Sequence, residues 1–529
     1  MNTIDGHGPS RLSTIDGDGP SRLTARSAAV AVAVLVAAPF VLLGLGATPF
    51  DDPGEGMHAE IARELGRDGG AFALTLGGVR YVDKPPLLYW LMAAAFRVAG
   101  PSEAAARAVP ALAALVAVGA TAWLGARLLG PRAGVLAGLA LLASPGFFAF
   151  ARYVRPETLF VAALALGFAW ALVGARDGRR GPVVAGLAAF GAAGLAKDPL
   201  GALIPPLAIG RAFALGGRAR PIARWLPVAG VVAGLALAIG WWALAERATP
   251  GFIWYTVVDN HVLNVLRRRR FPDEDVPLGA AAFLVIALAG AVPWVVAAAR
   301  AIVGLVRARA WRDPAEAPWI ALALWAVGVL GVTALSPFRL PHYGLPAYPA
   351  LALLAARGWT HHGGRGLALA HAALFAALAV GGAAAWLGDG GGFMRDVVGA
   401  TDVATQKAAA IGQAAPLPPW SAMRPLVGAA ALATGAGAIV VGAAAAVRST
   451  AWAAAAAALT MLAILPAVAL GTARVAAHRA VRPLAGALAR GAGAADVVAH
   501  EGPLENSGAL EWYGGRRPVI VDGTRSVLG

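Results

Sequence analysis

An acidic cluster and a lysine with aromatic neighbours stand out in the first long polar stretch of the chain. The cluster is Asp51-Asp52-Pro53-Gly54-Glu55, and the second block is Lys84-Pro85-Pro86-Leu87-Leu88-Tyr89-Trp90. A carboxylate can take a proton from an attacking hydroxyl group, and a lysine ammonium can hold a phosphate group. Because an apolar run precedes this stretch, the pairing predicts phosphate-linked chemistry at a membrane surface. The alternative is that the carboxylates only cap a helix.

A second polar stretch, Arg152-Tyr153-Val154-Arg155-Pro156-Glu157, lies between two apolar runs. Two arginines beside a carboxylate are suited to clamp a phosphate group, with the carboxylate as an orienting partner. Glu157 could instead be an acidic first-turn residue that the helix dipole favours. We favour the phosphate clamp.

Three weaker stretches follow along the chain. They are Lys197-Asp198, Asp259-Asn260-His261 with the run Arg267 to Arg270, and the stretch from Ser336 to Pro346, which contains Arg339 and Tyr343. Lys197 and Asp198 could be only a local ion pair at a hairpin turn, and a lone loop histidine is usually not a ligand. These stretches are therefore candidates for function only if they lie on the same face of the membrane as the first two.

The composition is that of a membrane protein. Of 529 residues, 58% are hydrophobic and 14% are charged, and the mean hydropathy is +0.66. Soluble globular domains lie below these hydrophobic values, and apolar runs of about 20 residues are long enough to cross a bilayer as helices. The net charge of +15 is attributed mainly to cytoplasmic linkers and not to nucleic-acid binding. The absence of cysteine from the sequence excludes disulfides and thiolate metal sites.

The apolar runs predict about thirteen transmembrane helices. They are placed at 27–47, 103–126, 133–151, 157–175, 181–196, 199–215, 225–245, 278–298, 318–335, 342–356, 366–387, 425–447 and 451–472. Arginines concentrate in alternate linkers, which predicts that those linkers and the amino terminus are cytoplasmic and that the carboxyl terminus is outside. The predicted fold is an all-α polytopic membrane protein with interfacial helices and a small outer α/β domain.

Three regions are predicted. Residues 1–26 form a disordered cytoplasmic tail, because residues 3–12 recur almost unchanged at 14–23, a duplication with an 11-residue period that is rich in Gly, Pro and Ser. Residues 27–472 form the transmembrane domain, whose first outer loop, 48–102, carries the site. Residues 473–529 form the outer domain, with 497–498 and 519–521 as strand candidates. Within the first outer loop, Met57, Ile61 and Leu65 share one helical face, which predicts a short helix on the membrane surface.

All five polar stretches fall on the predicted outer face. Several of their basic residues oppose the charge bias of that side and are therefore candidates for function. These residues are Arg80, Lys84, Arg152, Arg155, Lys197, Arg267 to Arg270 and Arg339. Agreement among the five stretches predicts one extracytoplasmic site.

In order along the chain, these stretches resemble blocks of membrane glycosyltransferases of the GT-C class. The resemblance is strongest to bacterial relatives of protein O-mannosyltransferases and to the transferase that adds 4-amino-4-deoxy-L-arabinose to lipid A. It covers about residues 28–360, and Trp512-Tyr513-Gly514-Gly515-Arg516-Arg517 resembles the final outer domain of the family. Three positions depart from the pattern, since Gly54 stands for a frequent aspartate, Glu157 for an aspartate and Arg339 for a lysine.

The resemblance implies an enzyme of the bacterial inner membrane that transfers a sugar from a polyprenyl phosphate carrier to a lipid A-like lipid, a glycan or a protein. Glu55, with Asp52 as the alternate, is expected to act as the base of a single inverting displacement, and Glu157 is the third catalytic candidate. The expected substrate-binding residues are His58, Tyr81, Lys84, Arg152, Arg155, Lys197, His261, Arg339 and Tyr343.

Two other function classes remain open from the sequence. A flippase or transporter of lipid-linked sugars would carry charges near the middle of the bilayer in broken helices. A polymerase or ligase would use a pyrophosphate carrier and move a preassembled chain. Asp83 and His261 supply too few ligands to predict a divalent ion, so no metal or other cofactor is predicted. A monomer with no nucleic-acid partner is expected.

Overall fold

The computed structural model describes residues 20–68, 70–216, 226–271, 276–493 and 495–523. Most of these residues are helical. The α-helices are α1 Pro20–Leu42, α2 Gly54–Asp68, α3 Leu87–Ala99, α4 Glu103–Leu129, α5 Pro131–Leu142, α6 Pro145–Ala151, α7 Glu157–Asp177, α8 Arg180–Ala196, α9 Leu200–Leu215, α10 Val228–Leu235, α11 Trp242–Ala248, α12 Ala280–Ala289, α13 Trp294–Arg307, α14 Ala317–Leu335, α15 Tyr348–His361, α16 Arg365–Leu387, α17 Gly391–Phe393, α18 Val403–Ala410, α19 Trp420–Ala446, α20 Thr450–Arg479, α21 Arg482–Gly491 and α22 Gly508–Gly514. Short π-helical or 3₁₀ turns include Trp254–Leu263 and Pro341–Ala347.

Every predicted transmembrane segment overlaps a helix, and the chain is an all-helical multi-pass membrane protein. Within the described ranges, eight helical stretches are long and apolar enough to cross a membrane, or ten if each bent pair counts as one span. The α5–α6 pair bends by 71° and the α12–α13 pair by 106°. Pro145 and Pro293 lie at these breaks, where a missing backbone N–H interrupts the helical ladder. Because α8, α9 and α15 are short, a count of thirteen full spans stays a prediction.

The first helix begins earlier than the sequence predicts. α1 starts at Pro20, inside the predicted tail 1–26. Proline is well suited to the first turn of a helix, where its missing N–H has no intrahelical partner to lose. Residues 1–19, which include most of the duplication, lie outside the described residues.

The first outer loop folds into α2, a hairpin and α3. The hairpin pairs β1 (Thr75–Leu76) with β2 (Val79–Arg80) in antiparallel register. The predicted amphipathic helix is present as α2, but the prediction that it lies on the membrane surface is wrong. α2 is enclosed by α3 and α22, and even Glu60 and Glu64 on its supposedly polar face are buried.

The carboxyl-terminal residues form a small unit that packs on the first outer loop. It contains α21, α22 and a parallel pair of strands, β3 (Ala499–Glu501) and β4 (Val519–Val521). The first strand lies just after the predicted 497–498. Trp512 meets the ring of Phe50 edge-on with centroids 5.3 Å apart. The unit therefore covers the segment that leads into the acidic cluster.

Candidate active site

The turn between α6 and α7 joins the acidic cluster to the cations. The Tyr153 hydroxyl donates to Asp51 Oδ2 at 2.9 Å, and the Val154 N–H donates to Glu55 Oε1 at 3.0 Å. Glu157 then opens α7, with Pro156 immediately before it. The α6–α7 turn therefore holds the acidic cluster through Tyr153 and Val154 and places Glu157 at the start of α7.

Glu157 is the centre of a buried polar group built from three segments. Its Oε1 accepts from Lys197 Nζ at 3.1 Å and lies 3.2 Å from His342 Nε2. Lys197, in the α8–α9 turn, also stands 4.8 Å above the ring of Tyr343. Glu157 Oε2 is buried and has no hydrogen-bond partner among the described residues. The structure thus brings together three predicted residues, Glu157, Lys197 and Tyr343.

His342 belongs to this group, although the sequence analysis did not select it from its block. Burial lowers its pKa to about 4 against the opposing effect of the Glu157 charge, so the ring is neutral near pH 7. A neutral ring whose Nε2 faces the carboxylate acts as a donor there. The signal that could have found it is its place next to Tyr343 in a short turn that opens a helix.

His58 and Tyr89 form the second part of the site. His58 Nδ1 lies 2.8 Å from the Tyr89 hydroxyl, and the Tyr81 ring meets Tyr89 edge-on at 6.0 Å. Burial, and next the charges of Arg155 and Lys84, lower the pKa of His58 to about 3. Both cations therefore lie close to this neutral histidine, as does Glu157 from the first group.

Lys84 forms an ion pair with Asp83 beside these rings. The Tyr255 hydroxyl also donates to Asp83, at 3.3 Å. Burial alone would raise the pKa of Asp83, but the charges of Lys84 and Arg269 bring it below its ordinary value. Because the Lys84 side chain is 31% exposed, a ligand can reach its ammonium group.

Glu55 does not favour the role of base that the sequence suggested. Its buried carboxylate accepts from Arg107 Nε at 2.9 Å and Arg107 Nη2 at 2.6 Å, and from the N–H groups of Asp51 and Val154 at 3.0 Å each. These four bonds occupy both oxygens. Arg107 also donates to the carbonyl oxygens of residues 45, 48 and 49. The pair therefore holds the loop in place.

Asp52 is better placed to accept a proton. Its Oδ1 is buried and has no hydrogen-bond partner within the described part of the chain. Burial, and then the charge of Asp51, raise its pKa to about 7, while Arg479 opposes the rise. Burial also raises the pKa of Asp51, to about 6. However, Asp51 is already bonded to Tyr153 and Arg479.

Gly54 has a steric explanation. A Cβ atom at this position would overlap the hydroxyl of Tyr153, which donates to Asp51. A side chain at residue 54 would therefore displace the tyrosine that anchors Asp51. In this chain the aspartates of the loop, Asp51 and Asp52, stand before position 54 instead.

Two predicted arginines are engaged elsewhere. Arg152 donates to the carbonyl oxygens of Phe40 and Val41 at 2.8 and 3.0 Å, at the end of α1. Arg339 donates to the carbonyl oxygens of Leu278 at 2.8 Å and of Ala334 at 3.0 Å. These contacts satisfy carbonyl groups at helix ends and in a loop, so neither arginine joins the groups around Glu157 and His58.

His261 lies at the edge of the site. Its Nδ1 is 2.6 Å from the Thr256 carbonyl oxygen and its Nε2 is 3.6 Å from Asp198 Oδ2. The hydrogen bond to Asp198 raises the pKa of His261. Both ring nitrogens face protein partners, and Asp83 is paired with Lys84, so this geometry gives no argument for a divalent ion between Asp83 and His261.

Another carboxylate group lies under the carboxyl-terminal unit. Glu60, Glu64 and Glu511 are buried, with oxygens within 4.8 Å of one another. Arg63 pairs with Glu60 at 2.6 Å, and Arg517 pairs with Glu64 at 3.1 Å and Glu511 at 3.4 Å. Since two guanidinium groups already face these carboxylates, the arrangement acts as an ionic contact between α2 and α22.

Comparisons with known proteins agree with this architecture. Residues 83–243 match the family described as dolichyl-phosphate-mannose-protein mannosyltransferase. Curated relatives include the undecaprenyl phosphate-alpha-4-amino-4-deoxy-L-arabinose arabinosyl transferase of Pseudomonas aeruginosa (strain LESB58), 29% identical over 319 residues, which cover 57% of this chain and 54% of that protein. The arabinosyl transferase 2 of the same name from Sodalis glossinidius (strain morsitans) is 28% identical over 344 residues, which cover 63% of this chain and 60% of that protein. The chain thus spans somewhat more than half the length of these relatives.

Solved structures extend the likeness over nearly the whole fold. ArnT from Cupriavidus metallidurans, bound to undecaprenyl phosphate, superposes with a TM-score of 0.75 at 22% identity, covering 96% of this chain and 87% of that chain. Its apo form gives a TM-score of 0.74, also at 22% identity, covering 94% and 86%. The chain is therefore similar to GT-C membrane glycosyltransferases, in sequence to the O-mannosyltransferase and aminoarabinose transferase families and in fold to ArnT.

Proposed function

We propose that the chain is a glycosyltransferase that moves a sugar from a polyprenyl phosphate carrier to an acceptor hydroxyl or phosphate. The amino terminus lies in the cytoplasm of a bacterium, and the site and the carboxyl terminus lie on the outer face of the inner membrane. One observation carries the proposal most directly. Among the described residues Asp52 Oδ1 is buried without a hydrogen-bond partner, and its neighbour Asp51 is bonded to Tyr153 in the same turn that places Glu157 on Lys197.

The reaction is a single displacement at the anomeric carbon. The acceptor oxygen forms the new bond to this carbon while the bond to the carrier phosphate oxygen breaks, so the configuration inverts. The acceptor proton passes to a carboxylate of Asp52, and the electron pair of the broken bond stays on the leaving phosphate. Asp52 is preferred over Glu55 because both oxygens of Glu55 are occupied by Arg107 and backbone N–H groups.

Stabilisation of the leaving phosphate is assigned to Lys84, Arg155 and Lys197. A phosphate ester needs positive charge more than it needs a proton in order to leave. Glu157 holds Lys197 in place at 3.1 Å and accepts from the neutral His342 ring, and the neutral His58 ring offers its one N–H group without adding charge. The isoprenoid chain of the carrier then lies among apolar helices next to this group.

The proposal is tested with purified full-length protein in detergent. Undecaprenyl phosphate carrying 4-amino-4-deoxy-L-arabinose or mannose serves as donor, and a lipid extract of the source membranes serves as acceptor. Mass spectrometry follows the appearance of a glycosylated product and of free undecaprenyl phosphate. Stoichiometric formation of both is expected, and Asp52→Asn should slow it by roughly 10²- to 10⁴-fold, whereas Asp389→Asn in an exposed turn should not.

Three results would contradict the proposal. Movement of the intact donor across proteoliposomes without cleavage of the sugar–phosphate bond would assign the chain to the flippases. Retention of full turnover by Asp52→Asn would remove the proposed base. Transfer of a preassembled chain from a pyrophosphate carrier would replace single-sugar transfer with polymerisation or ligation.

A further inference from the structure

The last membrane helix reaches the acidic cluster through Arg479. This residue ends α20, and its side chain is 9% exposed. Its Nε lies 2.8 Å from Asp51 Oδ1, and its Nη2 donates to Asp51 Oδ2 at 3.1 Å. The guanidinium group therefore holds Asp51 by one hydrogen bond from Nη2 and by a close charge contact at Nε.

The same guanidinium group holds a second carboxylate. Arg479 Nη1 donates to both oxygens of Asp402, at 2.9 and 3.0 Å. Asp402 also caps α18, because it accepts from the Thr405 N–H at 2.9 Å and from the Thr405 hydroxyl at 2.6 Å. Arg479 consequently joins three segments that are far apart in sequence: the first outer loop, the 388–424 segment and the end of α20.

We propose that Arg479 is a positioning residue for the transfer reaction, which fixes the orientation of Asp51 and supplies the positive charge that balances the Asp51–Asp52 pair. This inference rests on the proposed function, in which Asp52 accepts the proton. Arg479 acts through the aspartates and is not assigned a contact with the sugar or the carrier.

The charges around the pair support this role. Asp51 is surrounded by Arg479, Glu55, Tyr153 and Asp402, and Glu55 is already neutralised by Arg107. Burial and the charge of Asp51 raise the pKa of Asp52, and Arg479 is the group that lowers it. Without Arg479, two neighbouring carboxylates would share a desolvated site with no cation assigned to them, which disfavours ionisation of both.

A measurement without substrate tests the electrostatic part. The difference in Tm between the full-length protein and its Asp52→Asn variant is recorded from pH 4 to pH 9. Because the folded-state pKa of Asp52 is raised, this difference should fall between about pH 4 and pH 7 and then level off. In the Arg479→Gln background, the pH at which the Tm difference levels off should be about one unit higher. One unit is the lower end of the range by which a neighbouring arginine lowers the pKa of an aspartate.

Matched variants separate this role from a loss of packing. Arg474→Gln changes another arginine of α20, which donates to the Ala422 carbonyl oxygen, and should leave the levelling pH unchanged. Asp402→Asn removes a negative charge near the Asp51–Asp52 pair and should lower the levelling pH. If Arg479→Gln does not fold, Asp402→Asn and Arg479→Lys carry the test. Lysine keeps the charge and should keep the levelling pH, but it lacks the planar fork whose separate nitrogens contact Asp51 and Asp402.

Turnover measurements provide the second part. The pH profile of kcat/KM should shift upward by about one unit in Arg479→Gln, so that activity lost at pH 7 returns at pH 8 to 9. Arg479→Lys should lower kcat several-fold without that shift. A uniform loss at all pH values, or an unshifted levelling pH, would overturn the positioning role. Full activity of Asp52→Asn would instead reject the proposed function and leave the Tm result interpretable on its own.

Discussion

The proposed base predicts an acid limb in the pH profile that is unusually high for an aspartate. Burial and the neighbouring Asp51 raise the pKa of Asp52 to about 7, and only the ionised carboxylate can accept a proton. With a midpoint at pH 7, kcat/KM should be about a tenth of its plateau at pH 6 and about a hundredth at pH 5. Activity therefore rises with pH through the neutral range. Removal of the base by Asp52→Asn should lower kcat by roughly 10²- to 10⁴-fold.

The assay is initial-rate transfer in detergent at acceptor concentrations below and above KM, which gives kcat/KM and kcat separately, across pH 5 to 9. Glu55→Gln is the informative comparison, because Glu55 is bonded to Arg107 and should affect stability more than the midpoint of the limb. Asp389→Asn, whose carboxylate accepts from the Gly391 N–H in an exposed turn, is the control. An acid limb centred near pH 4, or a pH-independent rate in this range, would refute the reasoning about Asp52.

Three further predictions concern the carrier and the packing of the loop. Lys84→Ala should weaken binding of undecaprenyl phosphate roughly ten- to hundredfold in thermophoresis, because a charge-assisted hydrogen bond is lost. Lys407→Ala is the control. Equal affinities of the Lys84→Ala variant and the unchanged protein would remove Lys84 from the phosphate site. Arg107→Met should destabilise the protein by about 3–5 kcal/mol in denaturant unfolding, because it leaves the buried Glu55 charge uncompensated. The double variant Glu55→Leu/Arg107→Met should recover much of this loss, and no recovery would argue against the ion-pair explanation. Trp512→Ala should lower stability by about 3–5 kcal/mol and expose the first outer loop to limited proteolysis, whereas Trp452→Ala, at a side chain that is 72% exposed, should do neither.

The long apolar helices were largely predictable from the sequence, since each lies in an apolar run. The sequence did not reveal which runs are broken, because the bends at Pro145 and Pro293 depend on how neighbouring helices accept the interrupted segments. The position of α2 was also missed. Its apolar face was visible in the sequence, but burial of Glu60 and Glu64 depends on Arg63 and on residues more than 400 positions away.

Part of the site was also predictable. Glu157, Lys197 and Lys84 were selected because they are charges in the predicted outer stretches. The structure places Lys197 on Glu157 and Tyr343, and the charges of Glu157 and Lys84 act on His58. Arg107 was missed because it lies inside a helix that looked uniformly apolar, and Arg479 was missed because it ends α20 beyond the predicted span 451–472. For Arg107 the available signal was an arginine within a membrane segment, which requires a carboxylate partner. Pairing Arg107 with Glu55 needs the fold, since the two residues are 52 positions apart.

The contact between Tyr513 and Glu103 has a consequence for biosynthesis. Their side chains join at 2.9 Å across 410 positions of the chain. At a synthesis rate of roughly 5–20 residues per second, the ribosome needs about 20–80 s to travel from one to the other. In the proposed orientation, the nascent first loop is exported during that interval but lacks its cover. Chaperones and proteases of that compartment would therefore meet the loop before residue 513 is synthesised, and its maturation would wait for that residue.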